Sequence, residues 1–385
     1  RINSNKKLTI ALVANTTWSI YNFRLNLIRF LKDNGFNILV IAPKDNFSAN
    51  LISEGVSYQH INLDNYGINP ISEIMSIRQL YKIYTKNDID FIIHYTIKPN
   101  IYGSLAAKFA GISSIAVTTG LGHLLSFSNV FTRFISLSMY KLASQFSKEV
   151  WFLNKTDRDD FLRFKIVKSK KTFILPGEGV DTDYFKPVSI KENGKSMRFL
   201  FAGRIIWDKG FKQFIDAAQI IKKKYPLCQF DVVGFVDPNN PNAVPYDYIL
   251  KQQQNKIIKF HGETNDIRSF LNRAHCLVFP SLYREGISRI LMEAASMETP
   301  IITTDNVGCK ELVDHNQTGF IVRKNNPEDL VNAMVNFINM DYNDRLKMGK
   351  LARQKIIEEF DSKKTNSIYL KKIDQILSFD NKLKT

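Results

Sequence analysis

The sequence EGISRILME, residues 285–293, follows the apolar run HCLVFPS of residues 275–281. The apolar run is typical of a buried strand ended by Pro and Ser. The next segment has the apolar spacing of a helix, with Ser288 as its predicted N-cap. Because a helix N-terminus presents free N–H groups and partial positive charge, it suits a phosphate. Glu285 and Glu293 flank this anion site, and carboxylates accept hydrogen bonds from sugar hydroxyls.

A second strand–turn–helix unit lies upstream, with the sequence FLFAGRIIWDKG at residues 199–210. Arg204 and Lys209 lie in its predicted turn. Either unit alone would be an ordinary surface turn, because short patterns arise by chance. Together they supply two cations, two carboxylates and two helix N-termini. This combination predicts a ligand that carries both phosphates and sugar hydroxyls.

The residues of these two units resemble a known family. Gly203 with Arg204, Lys209 with its following glycine, and the pair Glu285 and Glu293 resemble the retaining glycosyltransferases of family 4, which have the GT-B fold. The resemblance implies an enzyme that transfers a hexose or N-acetylhexosamine from a UDP-sugar. It also implies retention of the anomeric configuration by front-face attack, without a carboxylate nucleophile.

Further motifs extend the resemblance along the chain. GVDTDYF at 179–185 is similar to the interdomain segment of the family, and FHG at 260–262 is similar to its nucleotide-base loop. In the first half, IYNFR at 20–24 and GLG at 120–122 look like bacterial enzymes that add N-acetylhexosamine to lipid-linked oligosaccharides. The implied acceptor is therefore a polyprenyl-diphosphate-linked saccharide used in cell-surface glycan synthesis.

The resemblance assigns roles to residues of the second half. Arg204, Lys209 and Glu285 are the predicted catalytic residues, with the two cations on the leaving diphosphate and the carboxylate on the donor sugar. Glu293 is predicted to bind the ribose hydroxyls. The full predicted donor-binding set is Gly203, Gly234, His261, Gly262, Gly286, Ile287, Ser288, Arg289 and Glu293.

The first half is predicted to bind the acceptor. Thr16 and Thr17 follow the first strand, and Arg24 is placed to pair with an acceptor phosphate. His94 and His123 are two candidates for a contact with the donor sugar or the acceptor, and the sequence leaves open which of them, if either, has that role.

No cofactor is predicted. The strand–turn units that carry the catalytic residues lack an Asp-x-Asp motif, because Asp181-x-Asp183 and Asp88-x-Asp90 lie elsewhere. Transfer without a metal ion is therefore expected. No GxGxxG motif follows the first strand, so a dinucleotide cofactor has no support.

Apolar runs alternate with helical stretches along the whole chain, which predicts parallel, doubly wound sheets. Both the length of 385 residues and a short polar passage that follows Gly179 and ends near Ser196 indicate two domains. The predicted architecture is α/β of GT-B type, with two Rossmann-like domains facing a central cleft. The domains span 1–185 and 196–360, and the family resemblance implies that a helix at 361–385 crosses back to the first domain. Predicted strands lie at 7–14, 37–43, 56–62, 90–96, 113–119, 149–154, 171–176, 199–203, 228–234, 257–261, 275–280, 300–304 and 318–322.

The net charge of +16 comes from 53 basic and 37 acidic residues. Residues 1–180 carry 22 basic and 12 acidic side chains, so their net charge is +10. Such a basic half suits an anionic membrane surface. No run of 18 apolar residues occurs and the three cysteines lack metal spacing, so we expect a cytoplasmic protein bound peripherally to the inner face of the membrane. Phe127 and Phe131 are the predicted membrane contacts.

Three other functions fit the sequence less well. A glycosyltransferase with a soluble acceptor fits the same motifs but leaves the basic first half unexplained. A UDP-N-acetylhexosamine epimerase with the GT-B fold matches the positions of Arg204, Lys209, Glu285 and Glu293 less well. A nonenzymatic basic binding protein, including one specific for nucleic acid, is disfavoured because the charges do not cluster with aromatic residues in a recognisable module.

Overall fold

The computed structural model describes residues 7–63, 70–121, 130–188, 196–238 and 240–384. The chain forms two compact units. The first comprises the chain up to Glu178 together with the segment from Ser362 onward, and the second is Gly179–Asp361. The first unit therefore ends before the predicted boundary at 185, and the segment 179–185 belongs to the second unit.

The first unit contains a sheet of seven parallel strands in the order β3-β2-β1-β4-β5-β6-β7. Nearly every residue of the central strands is buried, because helices cover both faces of a parallel sheet. The chain order reverses between the neighbouring strands β1 and β4. The strands are β1 (Thr9–Val13), β2 (Asn37–Ala42), β3 (Ser57–His60), β4 (Phe91–Tyr95), β5 (Ser113–Thr118), β6 (Glu149–Phe152) and β7 (Thr172–Ile174).

Helices connect these strands and cover the two faces of the sheet. Because parallel crossovers are right-handed, α1 and α2 lie on one face, and α3 to α6 lie on the other. On that second face α3 packs against α4, and α4 packs against α5. The helices are α1 (Thr17–Asp33), α2 (Ser48–Ser53), α3 (Pro70–Lys86), α4 (Ser104–Ala110), α5 (Val130–Phe146) and α6 (Lys155–Arg163), and a short π-helix (Pro99–Gly103) precedes α4.

The second unit contains a sheet of six parallel strands in the order β10-β9-β8-β11-β12-β13. Its chain order reverses between β8 and β11. The strands are β8 (Arg198–Ala202), β9 (Gln229–Val233), β10 (Lys259–Phe260), β11 (Cys276–Phe279), β12 (Ile301–Thr304) and β13 (Gly319–Val322). The helices are α7 (Phe211–Lys224), α8 (Tyr246–Gln254), α9 (Arg268–Arg273), α10 (Arg289–Ser296), α11 (Pro327–Asn339) and α12 (Tyr342–Glu359).

The chain enters and leaves the second unit at adjacent positions. Val180 pairs with Asp361, and the Val180 N–H donates to the carbonyl of Phe360 at 2.9 Å. The Thr182 hydroxyl donates to the Asp361 carboxylate. The Arg353 guanidinium donates to the Thr182 carbonyl at 3.1 Å. These bonds hold the segment that enters the second unit against the segment that leaves it.

The last helix, α13 (Ser362–Lys384), packs within the first unit. The Tyr95 hydroxyl donates to the Tyr369 hydroxyl at 3.3 Å, and the Tyr369 ring lies 4.9 Å from the ring of Trp151. Lys372 forms an ion pair of 2.8 Å with Glu149. Among the helices of the described ranges, none has the length and apolar character required to span a membrane.

Candidate functional site

The predicted site residues of the second half gather at the carboxyl edge of the second sheet. Gly203 follows β8, Gly234 follows β9, and the segment from Pro280 follows β11. The strand order reverses between β8 and β11, and ligands of doubly wound sheets bind beside such a reversal.

Glycine is required where the backbones of two strands meet at this edge. The Gly203 N–H donates to the carbonyl of Val233 at 3.0 Å. Gly234 has φ +157°, and a Cβ there would lie 1.8 Å from the carbonyl oxygen of Gly203. Any side chain at Gly234 would therefore separate the ends of β8 and β9.

The turn after β8 is fastened to the turn after β11. The Asp208 carbonyl accepts hydrogen bonds from the N–H groups of Leu282 and Tyr283, both at 2.8 Å. Gly210 has φ +80°, and a Cβ there would lie 2.0 Å from the carbonyl oxygen of Pro280. These contacts fix the position of Lys209, which lies between Asp208 and Gly210.

Lys209 and Glu285 form an ion pair between the two turns. Lys209 is only 8% exposed, and its Nζ lies 5.3 Å from the centroid of the Tyr283 ring and 5.5 Å from that of Phe279. The Glu285 side chain is 14% exposed. The pair is thus largely desolvated, which strengthens the attraction and makes each charge depend on the other.

Arg204 provides a second cation at the same edge. Its side chain is half-buried and forms no ion pair or hydrogen bond with any residue in the described ranges. This guanidinium therefore keeps its planar set of donors for an anion, to which it can bind in a bidentate manner.

Glu285 also packs against the turn after β12. The Glu285 N–H donates to the carbonyl of Val307 at 3.1 Å. Gly308 has φ +83°, and a Cβ there would lie 2.5 Å from the Cβ of Glu285. Sequence reasoning missed Gly308, although a glycine shortly after a predicted strand is an ordinary sign of a constrained turn.

Helix α10 begins beside this turn. Ser288 is its N-cap by backbone position, and the Ser288 N–H donates to the carbonyl of Gly308 at 2.8 Å. The predicted capping hydrogen bond of the Ser288 side chain is absent among the described residues. Gly286 and Ile287 lie in the turn between Glu285 and the helix, so the structure brings this predicted segment together at one helix N-terminus.

Arg289 holds Glu293 in place. The Nε of Arg289 donates to the Glu293 carboxylate at 2.8 Å, and its Nη1 donates to the Gly179 carbonyl at 2.8 Å. Burial raises the pKa of Glu293, and the charge of Arg289 opposes this rise. Arg289 was predicted to bind the donor, but its contacts are those of a residue that orients Glu293.

The predicted base loop lies at the ends of β9 and β10. His261 lies 2.6 Å from the Asp231 carboxylate through its Nε2, and Arg198 pairs with the same carboxylate at 3.1 Å. Gly262 accepts a hydrogen bond of 2.8 Å from the Gly234 N–H. Asp231 was missed from the sequence, although a lone carboxylate inside an apolar strand requires a buried partner.

Three of the predicted acceptor residues, Thr17, Arg24 and His94, are buried within the first unit. The first two are held by polar partners. Thr17 is fully buried and its hydroxyl donates to Asp45. Arg24 is 3% exposed, pairs with Glu178, and lies 3.9 Å from the centroid of the Tyr95 ring. In this conformation, neither side chain is available to a substrate.

His94 is buried as well. It is enclosed in β4, where its Nε2 lies 3.0 Å from the Tyr84 hydroxyl, and burial lowers its pKa to about 3. It is a neutral core histidine, so the predicted contact with a substrate is not supported. Thr16, by contrast, is half-buried at the end of β1 and caps α1 by accepting from the Ser19 N–H at 3.1 Å. His123 lies outside the described residues.

Across the described ranges, no three His, Cys, Asp or Glu side chains are grouped so as to hold a metal ion. All three cysteines are buried and free.

Two family descriptions match the chain, one in each unit. Residues 9–154 match the family described as Glycosyl transferase 4-like. Residues 184–355 match the family described as Glycosyl transferases group 1.

Curated relatives match the chain over nearly its whole length. The N,N'-diacetylbacillosaminyl-diphospho-undecaprenol alpha-1,3-N-acetylgalactosaminyltransferase of Campylobacter jejuni is 26% identical and covers 96% of this chain and 99% of its own. The UDP-Gal:alpha-D-GlcNAc-diphosphoundecaprenol alpha-1,3-galactosyltransferase of Escherichia coli is 26% identical and covers 92% of this chain and 91% of its own.

Solved structures share the fold. A glycosyltransferase from Rickettsia africae superposes with a TM-score of 0.79 at 20% identity, covering 97% of this chain and 99% of its own. Anabaena HepE in complex with UDP superposes with a TM-score of 0.77 at 17% identity, covering 96% of this chain and 100% of its own. The predicted fold of two Rossmann-like α/β domains is confirmed.

Proposed function

Because this chain belongs to the glycosyltransferases, with a Glycosyl transferase 4-like segment followed by a Glycosyl transferases group 1 segment, we propose that it transfers a hexose or N-acetylhexosamine from a UDP-sugar to a saccharide on polyprenyl diphosphate. The full-length relatives with diphospho-undecaprenol substrates in their names support this acceptor. The observation that carries the proposal is the desolvated Lys209–Glu285 pair beside the N-terminus of α10.

Transfer breaks the bond between the anomeric carbon and the diphosphate of the donor. Negative charge builds on the leaving UDP. Arg204 binds these phosphate oxygens through its unused donors, and Lys209 adds a fixed positive charge from its half of the ion pair. The N–H groups of the first turn of α10 lack partners within the helix and complete the anion site. Charges held in position before the reaction require no reorganisation, which is usually the largest catalytic contribution.

The two carboxylates bind the hydroxyl-bearing parts of the donor. Glu285 accepts hydrogen bonds from the sugar while Lys209 holds its other side. Glu293, oriented by Arg289, accepts from the ribose hydroxyls. His261 and Gly262 line the base pocket, and Asp231 fixes the ring of His261.

We assign no nucleophile to these carboxylates. The acceptor hydroxyl attacks from the side of the leaving diphosphate, which takes its proton, and the anomeric configuration is retained. The reaction needs no metal ion, because Arg204, Lys209 and α10 supply the positive charge. The first unit binds the acceptor at the carboxyl edge of its sheet, with Thr16 as the remaining candidate contact. The enzyme acts at the cytoplasmic face of the membrane, where its lipid-linked acceptor lies. The side chains of Phe127 and Phe131, predicted from the sequence as membrane contacts, lie outside the described residues, so their role stays a prediction.

The test is a panel of UDP-sugars with a polyprenyl-diphosphate-linked sugar as the acceptor. We expect transfer from one or a few UDP-sugars, with the donor's anomeric configuration kept in the product as measured by NMR coupling constants. Glu285→Gln should lower the rate strongly, whereas Glu328→Gln, an exposed carboxylate in α11, should leave it unchanged. An inverted product, or a covalent glycosyl-enzyme trapped in Glu285→Gln, would refute the mechanism. Transfer only to soluble acceptors would refute the proposed acceptor.

A further inference from the structure

The turn after β4 contains a strained residue. Thr96 follows the last residue of β4 and has φ +72°, in the left-handed region that is costly for a β-branched side chain. The other non-glycine residues with positive φ in the described ranges lie where such a backbone is ordinary. Three of them lie two positions beyond the end of a helix and two are asparagines: Lys165, Lys256, Glu298, Asn316 and Asn325. Because backbone strain is concentrated at binding and active sites, Thr96 indicates such a site.

The fold holds this turn against β4. The Asn100 N–H donates to the Thr96 carbonyl at 2.9 Å, and the π-helix Pro99–Gly103 follows. A Cβ at Gly103 would overlap the ring of His94, so the π-helix lies directly on β4. Single π-helical turns are rare and occur frequently at functional sites. The packing of the buried His94 therefore supports the strained turn.

Two oxygen atoms of the turn are buried and have no hydrogen-bond partner among the described residues. They are Oγ1 of Thr96 and Oδ1 of Asn100. Thr96 is half-buried, and Asn100 is only 1% exposed. A buried polar atom without a partner is destabilising, so proteins rarely keep one without a function or a bound molecule.

The orientation of the Asn100 amide determines which kind of ligand matches the turn. Its Nδ2 donates to the Val117 carbonyl at 3.0 Å and to the Tyr140 hydroxyl at 2.6 Å. Because a backbone carbonyl only accepts, this contact fixes Oδ1 as the atom that stays without a partner. An amide oxygen also only accepts, so it requires an N–H or O–H donor. The hydroxyl and acetamido groups of a sugar are such donors, whereas ionised phosphate oxygens are not.

The position and the charge of the turn also favour a neutral ligand that carries hydroxyls. The chain order of the first sheet reverses between β1 and β4, so the end of β4 borders the crevice in which doubly wound sheets bind ligands. Lys98, in the same turn, forms an ion pair of 2.6 Å with Glu73, and their side chains are only 18% and 9% exposed. The positive charge of the turn is therefore balanced within the protein.

We propose that the turn of residues 96–100 is a subsite for the sugar of the acceptor, and that the Thr96 hydroxyl binds a hydroxyl or acetamido group of that sugar. The strain and the unpartnered oxygen destabilise this turn, and a bound sugar supplies the missing partner. Oδ1 of Asn100 offers a second acceptor in the same turn. Thr96 is then a residue that determines acceptor specificity. The identification of the sugar as that of the acceptor rests on the proposed function, whereas the sugar subsite does not.

The test is the KM of the lipid-linked acceptor, measured at saturating UDP-sugar. Thr96→Val keeps the branched shape but removes the hydroxyl. It should raise the acceptor KM about three- to tenfold, the usual effect of one hydrogen bond between neutral groups, with kcat and the KM of the UDP-sugar unchanged. Thr96→Ser keeps the hydroxyl and should keep the wild-type KM. Thr96→Gly should raise the acceptor KM as Thr96→Val does without lowering the thermal midpoint of the first unit, because glycine adopts this backbone without strain.

Two matched controls lie in the first unit. Thr85→Val removes the hydroxyl of an exposed threonine in α3, and Lys165→Gly places glycine at another left-handed position. Neither should change the acceptor KM. A series of acceptors that each lack one hydroxyl or the acetamido group identifies the contact, because one of them should have the same KM with the wild type and with Thr96→Val. An unchanged acceptor KM in Thr96→Val, an equal loss in Thr96→Ser, or the same effect of Thr96→Val on every acceptor of the series would overturn the proposal.

A binding measurement without donor separates this proposal from the proposed function. The probes are the methyl glycosides of glucose, N-acetylglucosamine and N-acetylgalactosamine, observed by saturation-transfer NMR. We expect the wild type to bind at least one of them and Thr96→Val to bind it more weakly. If this result is found but no polyprenyl-diphosphate-linked sugar is an acceptor, the subsite stands and the proposed acceptor falls. If transfer to the lipid-linked acceptor is the same in the wild type and in Thr96→Val, the subsite falls and the transferase proposal stands.

Discussion

Removing the charge of Lys209 should cost both stability and activity, and the two losses can be separated. Lys209→Met keeps most of the side-chain volume but leaves Glu285 without its cation in a site where only 14% of the Glu285 side chain is exposed. Breaking a fully buried ion pair costs about 3–5 kcal/mol. Because this pair keeps some contact with solvent, we expect a loss of about 2–3 kcal/mol in the free energy of unfolding of the second unit.

For a unit of this size, such a loss lowers the thermal midpoint by about 4–12 °C. The value of kcat/KM should fall about 10²- to 10³-fold, as when one donor to a developing negative charge is removed. Calorimetry of the second unit's transition and a transfer assay below that transition measure the two effects independently.

The double variant Lys209→Met with Glu285→Gln shows whether the lost stability comes from the unpaired carboxylate of Glu285. It removes the uncompensated carboxylate, so most of the lost stability should return while activity stays low. A surface pair provides the control: Lys212 and Asp216 lie 2.9 Å apart with side chains 61% and 39% exposed. Lys212→Met should change stability by less than about 1 kcal/mol. If Lys209→Met costs no more than Lys212→Met, or if the double variant shows no recovery, the assignment of Lys209 and Glu285 as a desolvated pair is refuted.

Three other predictions follow from the site. Gly308→Ala should displace Glu285, because its Cβ would lie 2.5 Å from that of Glu285, so transfer should fall at least tenfold by kinetic assay while the UDP-dependent thermal shift remains. Burial raises the pKa of Glu293, so the folded chain binds this proton more tightly than the unfolded chain does. The free energy of unfolding of the wild type relative to Glu293→Gln should therefore decrease in urea titrations as the pH rises above the ordinary pKa of glutamate, and a flat difference would contradict this. Transfer should be unchanged by EDTA, and a loss restored by Mg²⁺ or Mn²⁺ would show that the positive charge of Arg204 and Lys209 is insufficient.

The alternation of strands and helices could be predicted from the sequence alone. Apolar runs at 199–203 and 275–280 became β8 and β11 because a strand buried on both faces must be apolar along its whole length. The turns after these strands could also be predicted, because Gly203, Gly210 and Gly286 interrupt the periodic segments. The structure brings the predicted catalytic residues of the second half to one sheet edge, and their roles stay predictions.

Partners distant in sequence were beyond prediction. Arg24 pairs with Glu178, 154 residues away, so a cation that looked free for a phosphate is already neutralised. Thr17 meets Asp45 in the same way. The sequence could not show whether His94 contacts a substrate or is buried in the core, because the Tyr84 that covers it belongs to another element. Whether a polar side chain faces substrate or packs inside depends on such long-range contacts, which local patterns do not contain.

The bonds between Val180 and the segment at Phe360 and Asp361 have a consequence for how this enzyme can change. A unit whose first and last residues are hydrogen-bonded to each other is expected to keep its fold when the rest of the chain is altered. Residues 179–361 are therefore the natural segment to exchange as one piece, because both of its junctions lie at adjacent positions. Replacing this segment with that of a related enzyme would substitute one complete strand order and one complete set of turns, with only two junctions to rejoin. Under the proposed division of labour, such an exchange is expected to change the donor sugar while the acceptor stays the same.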